Sequence, residues 1–137
     1  MAMSDSQRWL ERLVGATNDH DLEALVACFA ADYENRTPAH PARGFVGRDQ
    51  VRRNWEQIFA FVPDLRAEII AAAFDGSTAW TQWEMVGTRR DGTAHHMAGV
   101  IIFEVEDDAA RAATFFLEPV DDGAGSVDAA VRQQVVR

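Results

Sequence analysis

The chain predicts an α+β domain: three N-terminal helices packed against a strongly curved, mainly antiparallel sheet. Three observations carry this. Apolar residues recur at helical spacing up to Val62, and from Leu65 onward the chain is strand-like. Turn signals at Asp75-Gly76-Ser77, Asp91-Gly92 and Asp107-Asp108 divide that second part into four runs. The length of 137 residues suits one domain and leaves no room for two. A curved sheet wrapped around helices leaves a cone, and a cone is a natural place for a pocket.

Ser4 to Thr17 reads as a helix, with Trp9, Leu10, Leu13 and Val14 on one face and Ser4 or Asp5 as its cap. Asn18 or Asp19 can cap a second helix, whose stripe is Leu22, Leu25, Val26 and Phe29. Asp32 to Thr37 alternates as a short strand that Pro38 and Pro41 end, and a loop runs on to Gly47. The third helix covers about Arg48 to Phe61, carries Val51, Trp55, Ile58 and Phe59, and stops at Pro63. The strands are Leu65 to Phe74, Thr78 to Arg89, Ala94 to Val105 and Ala109 to Glu118, and Asp91-Gly92 is the strongest hairpin signal. Residues 1–120 form the domain. Residues 121–137 are a linker, "DDGAGS", then a terminal helix or frayed end from Ser126 to Arg137.

Hydrophobic residues make up 47% of the chain, enough for a packed core. Thirteen basic residues against 22 acidic ones give a net charge of −9. That balance argues against nucleic acid and against anionic membrane surfaces, both of which demand cations. The one cysteine, Cys28, excludes an internal disulfide and any CxxC-type metal site, and it reads as a buried, inert thiol. The start "MAMSDSQRWL" lacks a cationic segment followed by an apolar core, and no apolar run approaches membrane-spanning length. A cytoplasmic protein is expected. No two histidines stand at helical ligand spacing with a carboxylate, so no metal is expected. No GxSxG, no P-loop and no GxGxxG after a strand is present, so no nucleotide or other cofactor is expected.

The words "NDHDLEALVACFAADYENRTP", "GFVGRDQVRRNWEQIFAFVPDL", "WTQWEMVGTRRDGTAHHMAGVIIFEVED" and "ATFFLEPV" together resemble the SnoaL-like polyketide cyclase group of the NTF2-like superfamily. The resemblance spans nearly the whole chain and implies an NTF2-like cone that forms homodimers. It does not choose a reaction, because the superfamily holds isomerases, cyclases, epoxide hydrolases, dehydratases and binding modules. For the steroid isomerases, it would put the general base near Thr37, the oxyanion-hole tyrosine near Leu13 and the oxyanion-hole acid near Gly99 or Ile101. Threonine is no base at neutral pH, and the other three offer no side-chain donor, so that activity is rejected. The Asp–Arg–Asp relay of the epoxide hydrolases also finds no trio among the predicted inward positions.

Strand parity gives the faces. With Asp91-Gly92 and Asp107-Asp108 as two-residue loops, Glu84 pairs with Gly99, Met97 with Glu118, and Glu104 with Arg111. Glu84, His95 and Glu118 then share one pocket, surrounded by Trp80, Gln82, Met97 and Phe116. Tyr33 and Asn35 reach its mouth, and Trp55 and Phe59 come from the third helix. The polar set reads either as an acid/base cluster in an apolar pocket or as a buried Glu–His hydrogen bond that locks two strands. His20, His40 and His96 read as surface or dimer-face groups. The opposite face carries Trp83, Met85, Val100, Ile102 and Phe115, too apolar for water, and so is expected to be a homodimer interface.

The expected function is binding of a small apolar ligand, with isomerisation, cyclisation or dehydration of an apolar carbonyl compound as its chemistry. His95 is the expected base or shuttle, Glu118 its orienter or the acid, and Glu84 an anchor for a substrate hydroxyl. The alternative is a non-catalytic ligand-binding or dimerisation module of the same fold.

Overall fold

Helix α1 spans Asp5–Asn18 in a computed structural model that describes residues 3–136. Met1, Ala2 and Arg137, the last residue of the expected terminal helix, lie outside the described residues. Ser4 caps α1 through a capping box with Gln7, and the helix buries Trp9, Leu10, Leu13 and Ala16. Helix α2 (Leu22–Val26) is capped by Asp21, not by Asn18 or Asp19. Asn18 is engaged elsewhere: its amide bonds both the N–H and the C=O of Ala67. Helix α3 spans Arg48–Phe61, as its periodicity predicts.

Strands β1 (Phe29–Arg36) and β2 (Phe45–Val46) form a hairpin around the loop of residues 37–44, which holds one tight helical turn at Pro41–Arg43. Phe29 belongs to β1 and not to the stripe of α2. Strands β3 (Arg66–Asp75), β4 (Thr78–Thr88), β5 (Ala94–Glu106) and β6 (Ala109–Pro119) follow as an antiparallel meander. The sheet order is β2-β1-β6-β5-β4-β3, and β1 joins β6 in parallel. Helix α4 (Val127–Val135) ends the described chain, is capped by Ser126 and buries none of its residues.

Helices α1 and α3 lie on the concave side of the sheet. Trp9 sets the contact: its ring lies 4.7 Å from Phe103, and its indole N–H donates to the Cys28 carbonyl at 2.8 Å. The same carbonyl accepts the amide of Ala110, so one oxygen ties α1 to the β1–β6 junction.

The observed register corrects the predicted one on both sides of β5. Thr88 pairs with Ala94, and Arg89 bonds Thr93, which leaves a three-residue loop of Arg90, Asp91 and Gly92. Gly92 has φ +88°, the backbone such a loop needs after its type I turn. The extra residue slips β4 by one against the predicted pairing, so Glu84 meets Ala98 and not Gly99. Asp107-Asp108 is the expected two-residue turn, with both φ values positive. A bulge at Arg111 then shifts the register, because Val105 pairs with Ala110 while Glu104 pairs with Ala112. Glu104 accordingly binds Arg36 at 2.7 Å, and Arg111 binds Glu106 at 2.5 Å. Trp83, Met85 and Phe115, expected outside, line the inside. Trp80, Gln82, Glu84 and Phe116, expected inside, share the convex side with Val100 and Ile102.

Candidate functional site

A cavity of about 320 Å³ lies between the helices and the concave side of the sheet. Its apolar wall takes Leu13 from α1, Val51 and Ile58 from α3, Trp83 and Met85 from β4, and Phe103 from β5. These residues come inward because α1 and α3 carry apolar faces and β4 and β5 alternate. Met97, Ile101, Phe115 and Leu117 continue the wall along β5 and β6. Such a lining suits a mostly apolar guest, with a few polar groups to orient it.

The polar groups come from the strand ends, the loop between β1 and β2, and α3. Tyr33 is 1% exposed, and its hydroxyl donates to Asn35 Oδ1 at 2.7 Å. Burial pushes the Tyr33 phenol well above its ordinary pKa, so it stays a neutral donor. Beyond β1, Thr37 Oγ1 donates to the His40 carbonyl at 2.8 Å and shapes the loop. His40 Nε2 then meets Glu118 Oε1 at 2.7 Å, and both residues line the cavity. Glu118 lies opposite Ala98 at the end of β6, where its carboxylate can reach this loop. The glutamate of "FFLEPV" is thus an imidazole partner at the cavity edge. Arg43 and Asn54 complete the polar part.

His95 lines the cavity from β5. Burial lowers its pKa below the ordinary value, and the Arg89 guanidinium adds to the shift, so the ring is neutral at neutral pH. Glu84 is absent from the lining. It faces the convex side, where His96 Nε2 lies 3.1 Å from its Oε2. The structure therefore brings His95 and Glu118 to one cavity and places Glu84 outside it. Tyr33, Asn35, Trp55 and Met97 line the cavity as expected, whereas Trp80, Gln82 and Phe116 do not. Phe59 also lies off the lining, stacked on His20 at 4.5 Å. His20 is no loose surface group, since its Nε2 binds the Leu65 carbonyl at 2.8 Å.

His40 and Asn54 escaped the sequence reading. A histidine between two prolines reads as surface loop, and nothing local shows that β1 runs beside the end of β6. Asn54 sits one residue before Trp55 on α3, and that adjacency to the apolar face was the available signal. Leu13, Thr37 and Ile101, to which the steroid isomerase resemblance pointed, do line the cavity and supply no general base. Among the described residues, no aspartate lines it either. Among the described residues, no group of three or more His, Cys, Asp or Glu side chains is placed to hold a metal ion. No described helix is long and apolar enough to cross a membrane.

A curved, mostly antiparallel sheet wrapped around N-terminal helices, with a cavity between them, defines the NTF2-like α+β class. The family model for the SnoaL-like domain matches residues 10–113, and the chain belongs to that family. Among solved structures it is similar to IdmH, a putative polyketide cyclase from Streptomyces antibioticus, at TM-score 0.72 and 20% identity over 84% of this chain and 93% of that one. It is similar to a putative ketosteroid isomerase from Kribbella flavida at TM-score 0.68 and 19% identity, over 97% and 88% of the two chains. An LEH-like epoxide hydrolase from M. tuberculosis gives TM-score 0.71 and 14% identity over 83% of each chain. At these identities the likeness speaks for the fold alone. No curated protein matches the chain.

Proposed function

We propose that the cavity binds a small, mostly apolar carbonyl compound, and that the chain is a cofactor-independent isomerase, cyclase or dehydratase. The observation that carries this reading is the His40–Glu118 contact of 2.7 Å at a cavity whose other walls are mostly aliphatic and aromatic. Glu118 takes the Nε2 proton of His40 as a hydrogen bond, which leaves Nδ1 as the basic nitrogen of the ring. The carboxylate then stabilises the imidazolium that forms when the ring removes a proton α to a carbonyl. Returning that proton to carbon isomerises the compound. Returning it to oxygen completes a cyclisation, and passing it to a leaving hydroxyl completes a dehydration. His95 adds a neutral imidazole that can donate or accept in the same space. Glu84 has no part in this chemistry.

The test is deuterium exchange at the α-carbon of cyclic and aromatic ketones in D2O, followed by NMR. The wild type is expected to catalyse exchange, and His40→Ala and Glu118→Gln to lose about a hundredfold or more in rate. Exchange that persists unchanged in His40→Ala rules the pair out as the proton carrier. One observation favours the binding-module alternative: the His40 and Glu118 side chains remain 38% and 44% exposed, as befits a clasp on the loop. In that case both variants bind ligand normally and neither protein exchanges.

We also propose a homodimer through the convex side of the sheet. Trp80 and Phe116 are 49% and 44% exposed there, beside Val100 and Ile102. Such a contiguous apolar patch is more than a solvated sheet face normally carries.

A further inference from the structure

Two side-chain amides line the cavity, Asn35 from β1 and Asn54 from α3. In each, the oxygen already accepts one hydrogen bond from the protein, whereas among the described residues the amide nitrogen makes none. The buried Tyr33 hydroxyl donates to Asn35 Oδ1 at 2.7 Å. On α3, Arg53 donates to Gln50 Oε1 at 2.6 Å, which turns Gln50 Nε2 toward Asn54 Oδ1 at 2.8 Å. That relay has one direction, because a guanidinium can only donate. It fixes the Asn54 amide with its oxygen on Gln50. Among the described residues neither Asn35 Nδ2 nor Asn54 Nδ2 has a protein acceptor. Each of these two lining residues therefore carries unspent N–H donors, and each is neutral at every pH at which the protein is folded.

We propose that Asn35 and Asn54 are the ligand-orienting donors of this cavity, and that the buried polar end of the ligand is a hydrogen-bond acceptor, a neutral carbonyl oxygen and not an ammonium group. The proposal rests on the carbonyl-binding reading above and adds the residues that hold the oxygen. Unpaired donors in an apolar setting discriminate sharply, because a guest without an acceptor leaves them desolvated and unpaired. The same donors favour turnover. Removing a proton α to the carbonyl moves negative charge onto the oxygen they hold, and charge-assisted hydrogen bonds are the stronger ones.

Two neutral probes of the same shape test this: 2-acetylnaphthalene and 2-isopropenylnaphthalene, which differ by a carbonyl oxygen in place of a methylene carbon. Binding is read by titration calorimetry on the wild type, Asn54→Leu and Asn54→Asp. The wild type is expected to prefer the ketone by about tenfold or more. Asn54→Leu is expected to lose about tenfold in ketone affinity while alkene affinity holds or rises. Asn54→Asp keeps the shape, replaces the donors with an anion, and should weaken the ketone further while drawing in the ammonium of 1-(2-naphthyl)ethylamine. Equal affinity of ketone and alkene for the wild type overturns the donor assignment and leaves the apolar cavity standing. So does an equal loss of both probes in Asn54→Leu while Asn54→Asp keeps its ketone. If neither probe binds the wild type, the carbonyl-binding reading itself falls, and this assignment with it.

Discussion

Trp83 donates its indole N–H to Thr81 Oγ1 at 2.7 Å, two residues away along β4, with the two residues 2% and 1% exposed. The Thr81 hydroxyl in turn donates to the Ile101 carbonyl at 2.6 Å on β5. One hydroxyl thus serves as acceptor for a buried indole and as donor to the neighbouring strand. Thr81→Val keeps the shape and removes both bonds, leaving the indole N–H buried without a partner. The expected loss is about 1–3 kcal/mol, read as a lower urea midpoint at unchanged slope. An unchanged midpoint would mean that the indole finds another acceptor.

Gly99 holds β5 close to β6. Its φ is +149°, and a β-carbon built there would lie 2.0 Å from the Phe116 carbonyl oxygen and 2.9 Å from the Leu117 Cα. Both neighbours are backbone and cannot rotate away. Gly99→Ala is expected to cost at least about 2 kcal/mol, or to prevent folding outright. A thermal melt that matches the wild type would show that the two strands can part without penalty.

His95 gives the protein a pH dependence of known sign. Its folded pKa is lowered, first by burial and then by Arg89, so as the pH falls the unfolded chain takes up the proton first. Stability is therefore unaffected by this group above about pH 6.5, the ordinary histidine value, and declines as the pH drops from there toward the lower folded pKa. His95→Gln should flatten the fall in Tm between about pH 7 and about pH 5. A fall parallel to that of the wild type would assign the acid sensitivity to other groups.

Val100 lies on the convex side, opposite Gln82 and Phe116. In the proposed homodimer, Val100→Asp places a charge in a desolvated contact and should give monomers by sedimentation at micromolar concentration, with the fold intact by circular dichroism. A wild type that is already monomeric there removes the dimer proposal.

Much of the fold is legible in the sequence, and the reason is local. The face of α1, the full extent of α3 and the four long strands follow from periodicity and turn residues within short windows. Which face each strand turns inward was half legible. His95 and Met97 on β5 were placed correctly, whereas one extra loop residue at Arg90-Asp91-Gly92 and one bulge at Arg111 reversed β4 and β6. A slip of one residue leaves the turn signals intact yet swaps Trp83 for Gln82 or Glu84 at the cavity, so parity counts fail where loop length is ambiguous. The His40–Glu118 contact was illegible for a different reason. It joins residues 78 positions apart, and no pattern near either one announces the other.

The parallel pairing of β1 with β6 has a kinetic consequence. Phe29 must find Ala110, and Arg36 must find Thr114, so the pairing closes a loop that holds β2, α3 and β3 to β5. The β3–β6 meander can zip up through its own short turns, one hairpin after the next. On a ribosome the first hairpin emerges early and waits without its neighbour until β6 has been made. Long-range closure of this kind is slow, because the entropy of the loop is lost before any contact is gained. The hairpin of β1 and β2 is therefore expected to be the last part of the sheet to dock, with the loop bearing His40 reaching Glu118 at the end of folding.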